Sequence, residues 1–538
     1  MTRRFSADSL RPTGGAEPPR AEECVRQRRR AASRGLSLAR FALLGSLLVF
    51  GAMSPLQALA QTLTFGTYSD FQGFDMARVR AFSPNTTLLA SAVMEGLFAY
   101  DYENGDAIVP RLALSFEEAP DRLSAVVKLR PNVRFHDGTP FNAEAVAYHF
   151  SRILNPQLGM GLAETLFRPL EKVEAVDDLT VRFVLRHPWS ALQSTLAVDQ
   201  GMNMIGSPTG LRSDPEGFNR RPIGTGPFIF REWRSGDRVV LERNKDYWDP
   251  GLPKVDQVVY RIMLDENTRF QALKAGELDI AWIDNAGQVA EARQSSNLKV
   301  WEHRGTGGLV WLFNTTRPPF DDAKARAAVV HAFNEQALID GFFLGGAEVA
   351  REFFPNTRWA CPGLKWRGYD PDRSKDLVKQ LGGKLSFSMF GYGTPPGRRV
   401  SSIMQQFQEA AGIDVKVELL ELVQLIRRVF AADFQMSQWR LGDYGGDPDI
   451  FFTSATFGAI KYKNPRLDEL LSKAQREKAF ETRRQLYCEV SALLAEEAVM
   501  LMPDHTYDYL VGQTHVKDVP KNVGNLLRVR SIRMEKGK

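Results

Sequence analysis

Short runs of alternating apolar and polar residues recur along the chain, separated by segments of helical periodicity. Leu63-Thr-Phe-Gly-Thr67 reads as a first strand, and Ser124-Ala-Val-Val-Lys-Leu-Arg130 and Leu179-Thr-Val-Arg-Phe-Val-Leu185 follow the period of two. Between them Asn142 predicts a capped helix through Leu154, with Glu144 in its first turn and Asn155-Pro156 as its stop. Asp265 to Gly276 reads as a short capped helix ended by glycine, feeding a strand at Leu278-Asp-Ile-Ala-Trp282. Leu309-Val-Trp-Leu-Phe313 is a further strand, and Asp321 or Asp322 opens a helix carrying Ala325, Val329, Val330 and Phe333. Lys384–Phe390, a helix near Val400–Ala411 and Ile413–Leu419 predict a βαβ unit. Two amphipathic helices follow, one with Leu467, Leu470, Leu471 and Ala474 on a face, the other with Leu486, Val490, Leu493 and Leu494, before Pro503. No period of 20–50 residues recurs, which excludes solenoids and propellers. The pattern is that of a multi-domain α/β protein.

Two glycine-rich or proline-marked joints divide the chain. Gly305-Thr-Gly307-Gly308 lies between two strands, and a second joint follows Pro503 at Asp504. Two such crossings join two lobes, and a cleft between lobes is a common ligand site.

The N-terminus changes the reading of the charge. Arg26 to Arg40 precede the apolar run Phe41–Phe50, and Ala58-Leu-Ala60 offers small residues for a signal peptidase, so residues 1–60 read as a secretory signal peptide. The apolar run is too short for a membrane-spanning helix. Cys24 lies upstream of it, which argues against a lipoprotein and for a protein free in the periplasm. The whole chain has 69 basic and 64 acidic residues, a net charge of +5. Residues 1–60 contain ten arginines against four acidic residues, leaving 59 basic and 60 acidic residues and a net charge of −1. That balance argues against a nucleic-acid binder. Of the three cysteines, Cys361 and Cys488 remain after such processing. They are able to pair in an oxidising compartment, although a chain this long needs no staple and sequence does not show that the sulfurs meet.

Catalytic signatures are scarce. GxxxxGK[ST], HExxH and GxSxG are absent, and Gly391-Tyr-Gly-Thr-Pro-Pro-Gly397 has the wrong spacing and two prolines where a pyrophosphate needs amides. Ser296-Asn-Leu-Lys299 formally matches SxxK but stands without its companion motifs. The seven histidines show no metal-ligand spacing, so neither a metal nor a cofactor is expected. One loop stands out: Trp439-Arg440-Leu-Gly-Asp443-Tyr444-Gly-Gly-Asp447-Pro-Asp449 combines flat aromatic surface, an arginine and three carboxylates. A carboxylate there suits an ammonium group, with Trp439 and Tyr444 packing on side chains, while a solvated acidic turn or a metal loop is the plain alternative.

Seven blocks carry a resemblance. They are Val93–Phe98, Leu129–Phe141, Pro222–Phe228, Leu241–Trp248, Ala272–Asp279, Phe313–Asp322 and Gly442–Asp449. In this order they resemble the family 5 extracellular solute-binding proteins, the dipeptide-, oligopeptide- and nickel-binding components of ABC importers. The resemblance implies a two-lobed periplasmic-binding-protein fold (type II, cluster C) with an extra subdomain inserted in lobe I. Lobe I would be residues 61–302, with the insertion at about 106–222, lobe II residues 303–505, and 506–538 a C-terminal return to lobe I. It implies a binding protein, not an enzyme, that hands a short peptide to an inner-membrane ABC permease. Asp443 would take the peptide ammonium beside Trp439, with Arg440, Tyr444 and Asp447 as further ligand residues and Gly305, Gly307, Gly308 and Asp504 as the hinge. Gly445-Gly446 lengthens the loop relative to the family's usual form, and Trp439 lies one residue further from the aspartate. Within the same fold a metal–chelator complex, an oligosaccharide or an opine-like conjugate are the alternative ligands. A monomer is expected. An exported hydrolase and a periplasmic chaperone are the readings from other classes.

Overall fold

A computed structural model describes residues 61–78, 84–104, 106–158, 166–198, 203–442, 446–521 and 527–535. The secretory signal read in residues 1–60 lies outside them, as do Asp443 and Tyr444.

Local chemistry sets many of the element boundaries. Asn142 accepts from the Ala145 amide at 3.0 Å and starts the helix Ala143–Ile153. Asp265 does the same for Glu266–Lys274 through the Thr268 amide, and Gly276 closes that turn with φ +77°. Thr394 caps Pro395–Ala410, whose first turn contains the two prolines of the glycine-rich loop. That loop is therefore a helix start, since proline's missing amide costs nothing at the first helical position.

The largest sheet among the described residues has eight strands. Its order runs Leu298–Arg304, Asp504–Gln513, Ile280–Trp282, Thr62–Thr67, Gln257–Ile262, Arg238–Arg243 and Phe228–Arg234, with the short Ala347–Val349 also paired to Asp504–Gln513. Thr62–Thr67 is parallel to both its neighbours. A second sheet runs Ile413–Leu420, Leu385–Tyr392, Met436–Leu441, Gly308–Phe313 and Met500–Leu501. A four-stranded antiparallel sheet, Ala113–Glu118, Ser124–Leu129, Thr180–Leu185 and Leu170–Asp177, packs with the Ala143–Ile153 helix around Phe150, Phe167 and Phe183. Each sheet has its own apolar core, and each buried Leu or Phe contributes roughly 1.5–3 kcal/mol.

The chain passes from the first large sheet to the second between Arg304 and Gly308, and returns between Leu501 and Asp504. The two passages lie side by side. Thr506 donates its amide to the Gly307 carbonyl at 3.0 Å. A Cβ on Gly308 would stand 2.1 Å from the Asp504 carbonyl oxygen, so this glycine is required by the close approach of two backbones. Cys361 and Cys488 form a disulfide, their Cα atoms 5.5 Å apart, which fastens the irregular 350–368 segment to the helix Phe480–Glu496.

Candidate functional site

Strand ends converge where the two large sheets face each other. Thr62–Thr67 and Ile280–Trp282 are parallel neighbours, so their carboxyl ends deliver Tyr68 and Asp284 to the same edge. Carboxyl ends of parallel strands are where ligands sit in open α/β sheets. Strand alternation puts Asp504, Thr506 and Asp508 on one face of Asp504–Gln513. From the other sheet, Met436–Leu441 contributes Trp439 and Arg440.

Arg440 joins the two sides. Its Nη2 donates to Asp508 Oδ1 at 3.2 Å. Burial pulls the guanidinium's pKa down, but Asp508, Asp284, Tyr68 and Asp504 outweigh it and hold the group charged. Yet half of the Arg440 side chain, 50%, stays exposed, against 8% for Asp508. A cation ringed by groups from the opposite sheet and still open to water lines a gap. Tyr392, at the end of Leu385–Tyr392, borders the backbone of Arg440, and Trp439 meets Phe430 edge-on at 5.9 Å. Beside the gap a small cavity is lined by Thr306, Phe353, Phe354, Leu441, Gly442 and Phe451. Roomier cavities of about 380 and 330 Å³ lie elsewhere, one against His136, Phe218 and Arg231, the other against Arg317, Phe390 and Arg428.

Two groups at the return passage are fully buried. Asp504 accepts from Thr506 Oγ1 at 2.7 Å and, more weakly, from the Leu309 amide at 3.4 Å, while its Oδ1 finds no partner. Burial pushes its carboxyl up to about 7. The ring nitrogens of His505 lie 3.0 and 2.9 Å from the carbonyl oxygens of Thr306 and Glu352, and burial lowers the ring's pKa in spite of them.

Asp447 is committed inside the protein and not to a ligand. Arg483 grips it with two hydrogen bonds, 2.7 and 2.9 Å, Ser194 donates to it at 2.8 Å, and its other duty is to cap Pro448–Phe452 through the Asp449 amide. Asp449 accepts from Trp189 Nε1 at 2.8 Å, and burial together with Asp447 raises its carboxyl. Ser194 and Trp189 belong to the segment around the four-stranded sheet, so this loop is held from two sides. Trp359 adds a third hold by donating its indole N–H to the Gly446 carbonyl. Gly446, with φ +78°, lies against Tyr100 so tightly that no side chain fits.

Sequence reasoning picked out Trp439, Arg440 and Asp447 and missed Tyr68, Asp284 and Asp508. The one signal for Asp284 was its position two residues past the end of a predicted strand. Asp508 lay hidden in a ten-residue strand whose other members are mostly apolar or aromatic. Among the described residues no group of three His, Cys, Asp or Glu side chains is arranged to hold a metal ion. No helix among them is long and apolar enough to cross a membrane.

Comparisons with known proteins give a consistent answer. The family model described as bacterial extracellular solute-binding proteins, family 5, middle region, matches residues 107–463. Di/tripeptide-binding protein 2 of Pseudomonas aeruginosa is 31% identical over 507 residues, covering 87% of this chain and 94% of that protein. The glutathione-binding protein GsiB of Pectobacterium atrosepticum is 31% identical over 404 residues, covering 72% and 77%. Among solved structures, the ABC transporter-associated periplasmic binding protein DppA from Helicobacter pylori, in complex with the peptide STSA, superposes with a TM-score of 0.80 at 25% identity, covering 88% of this chain and 98% of that one.

Proposed function

Because the chain belongs to the bacterial extracellular solute-binding proteins of family 5, we propose that it captures a short peptide between its two lobes and delivers it to an ABC permease of the inner membrane. The family is one of solute-binding transport proteins, and the fold is its two-lobed α/β fold. Residues 1–60 serve as the export signal, and the protein works free in the periplasm as a monomer. Lobe I comprises about 61–302 with the 106–222 insertion and the 506–538 return, and lobe II about 303–505. Gly305, Gly307, Gly308 and Asp504 form the hinge.

The observation that carries this reading is the water-accessible gap at Arg440, where groups from both large sheets meet across the two chain passages. Hinge motion about two neighbouring passages opens and shuts such a gap. Asp443 pairs with the peptide ammonium, Trp439 and Tyr444 pack on side chains, and Arg440 takes the opposite charge. The guest leaves chemically unaltered. The names of the two relatives, a di/tripeptide binder and a glutathione binder, support a ligand with peptide-type polar ends.

Titrating the protein with di- and tripeptides and with glutathione, while following tryptophan fluorescence, tests this. Saturable one-to-one binding to members of the peptide set is expected. Indifference to all of them overturns the peptide assignment.

A further inference from the structure

The loop that follows Met436–Leu441 is gripped by a part of the chain far from it in sequence. Ser194 Oγ donates to Asp447 Oδ2 across 253 residues, at 2.8 Å. Trp189 Nε1 donates to Asp449 Oδ2, also at 2.8 Å, and the Ser190 amide donates to the Gln475 carbonyl at 2.8 Å. Ile450 is buried in the apolar core of the four-stranded sheet, not in that of the sheet its loop extends. All four of these polar side chains are buried.

By the lobe boundaries proposed above, Trp189, Ser190 and Ser194 belong to one lobe, and Asp447, Asp449, Ile450 and Gln475 to the other. The remaining holds on the loop, the two hydrogen bonds from Arg483 to Asp447 and that from Trp359 to the Gly446 carbonyl, lie within the second lobe. Hinge opening therefore spares the second set and breaks the first. Asp447 keeps its guanidinium in either state, whereas the Ser194 and Trp189 hydrogen bonds exist only when the lobes are shut. Removing one of those donors leaves a buried carboxyl short of a partner in the shut form, while water serves it in the open form, so the cost falls on closure alone.

We propose that Trp189 and Ser194 are positioning residues that latch this loop when the lobes shut, and so retain the guest without touching it. Asp443 and Tyr444 stand three and two residues before Gly446, so the latch and the proposed ligand residues share one short loop. The latch rests on the two-lobed peptide reading above.

Calorimetric titration of the purified protein with trialanine and with glutathione, alongside small-angle scattering of the guest-free protein, tests it. Trp189→Phe keeps a ring in place and removes the N–H, and Ser194→Ala removes the second donor. Each change is expected to weaken binding of whichever peptide the native protein takes by about tenfold. The two together should enlarge the guest-free radius of gyration. Adding Asp449→Leu to Trp189→Phe removes the stranded carboxyl and should restore part of the affinity, which a general loosening of the fold does not do. Unchanged affinity and radius in the paired variant, or a loss that Asp449→Leu leaves unrepaired, overturns the latch and leaves the peptide reading standing. If the native protein takes neither peptide, the peptide reading falls, and the guest-free radius of the paired variant alone decides the latch: enlarged supports it, unchanged overturns it.

Discussion

Asp504→Asn probes the buried carboxylate where the chain returns between the sheets. Asparagine keeps an acceptor for Thr506 Oγ1 and the Leu309 amide, and it mimics the neutral acid in size and shape. The native carboxyl titrates near 7 because burial disfavours its charge, against an ordinary aspartate value of 3.8. Between those values the folded protein holds a proton that the unfolded chain has lost, so stability falls as pH rises through the window. Its contribution is whole in acid and gone once the pH passes the folded value. Linkage over the interval from about pH 5 to about pH 8 gives a loss of roughly 2.5 kcal/mol in the native protein that the variant escapes. Urea unfolding of both proteins at the two pH values measures the difference directly, and comparing the two cancels every other titrating group. The variant should match or trail the native protein at the lower pH, and the difference between them should move in the variant's favour by about 2.5 kcal/mol at the higher. A gap between the two proteins that stays constant with pH would refute the placement of a neutral acid at this passage.

Other expectations concern the loop and its supports. Arg483→Met strands the Asp447 carboxylate among Ser194, Tyr100 and Trp359, and should cost about 3–5 kcal/mol in denaturant unfolding. The double variant Asp447→Ala with Arg483→Met should regain part of that loss, and strict additivity of the two changes would contradict a direct pair. Replacing Cys361 and Cys488 together by serine removes a crosslink spanning 127 residues and should lower stability by about 2–5 kcal/mol. A melting temperature insensitive to both reductant and this substitution would count against the bond in solution.

Local signals were readable wherever a neighbour in sequence supplied the chemistry. Asn142 and Asp265 cap helices three residues away, and alternation located Ser124–Leu129 and Thr180–Leu185 to within a residue. The prolines after Thr394 excluded a nucleotide loop for the same physical reason that they begin a helix. What failed was anything decided at long range. Asp447 looked available for a ligand because Arg483, 36 residues on, and Ser194, 253 residues back, are invisible to local pattern. Arg440 and Asp508 meet only after two sheets have formed and the chain has crossed between them twice. The glycines at 305–308 read as a flexible joint, whereas Gly308 answers to the closeness of the Asp504 backbone. Spacing alone did not decide whether Cys361 reaches Cys488; the fold does.

Protein taken from its native cells, desalted, denatured and analysed by mass spectrometry for released small molecules would test the transport reading at its root. A short intact peptide at close to one equivalent per chain is the predicted result. A non-peptide guest, or peptide fragments that accumulate with time on the purified protein, would contradict it.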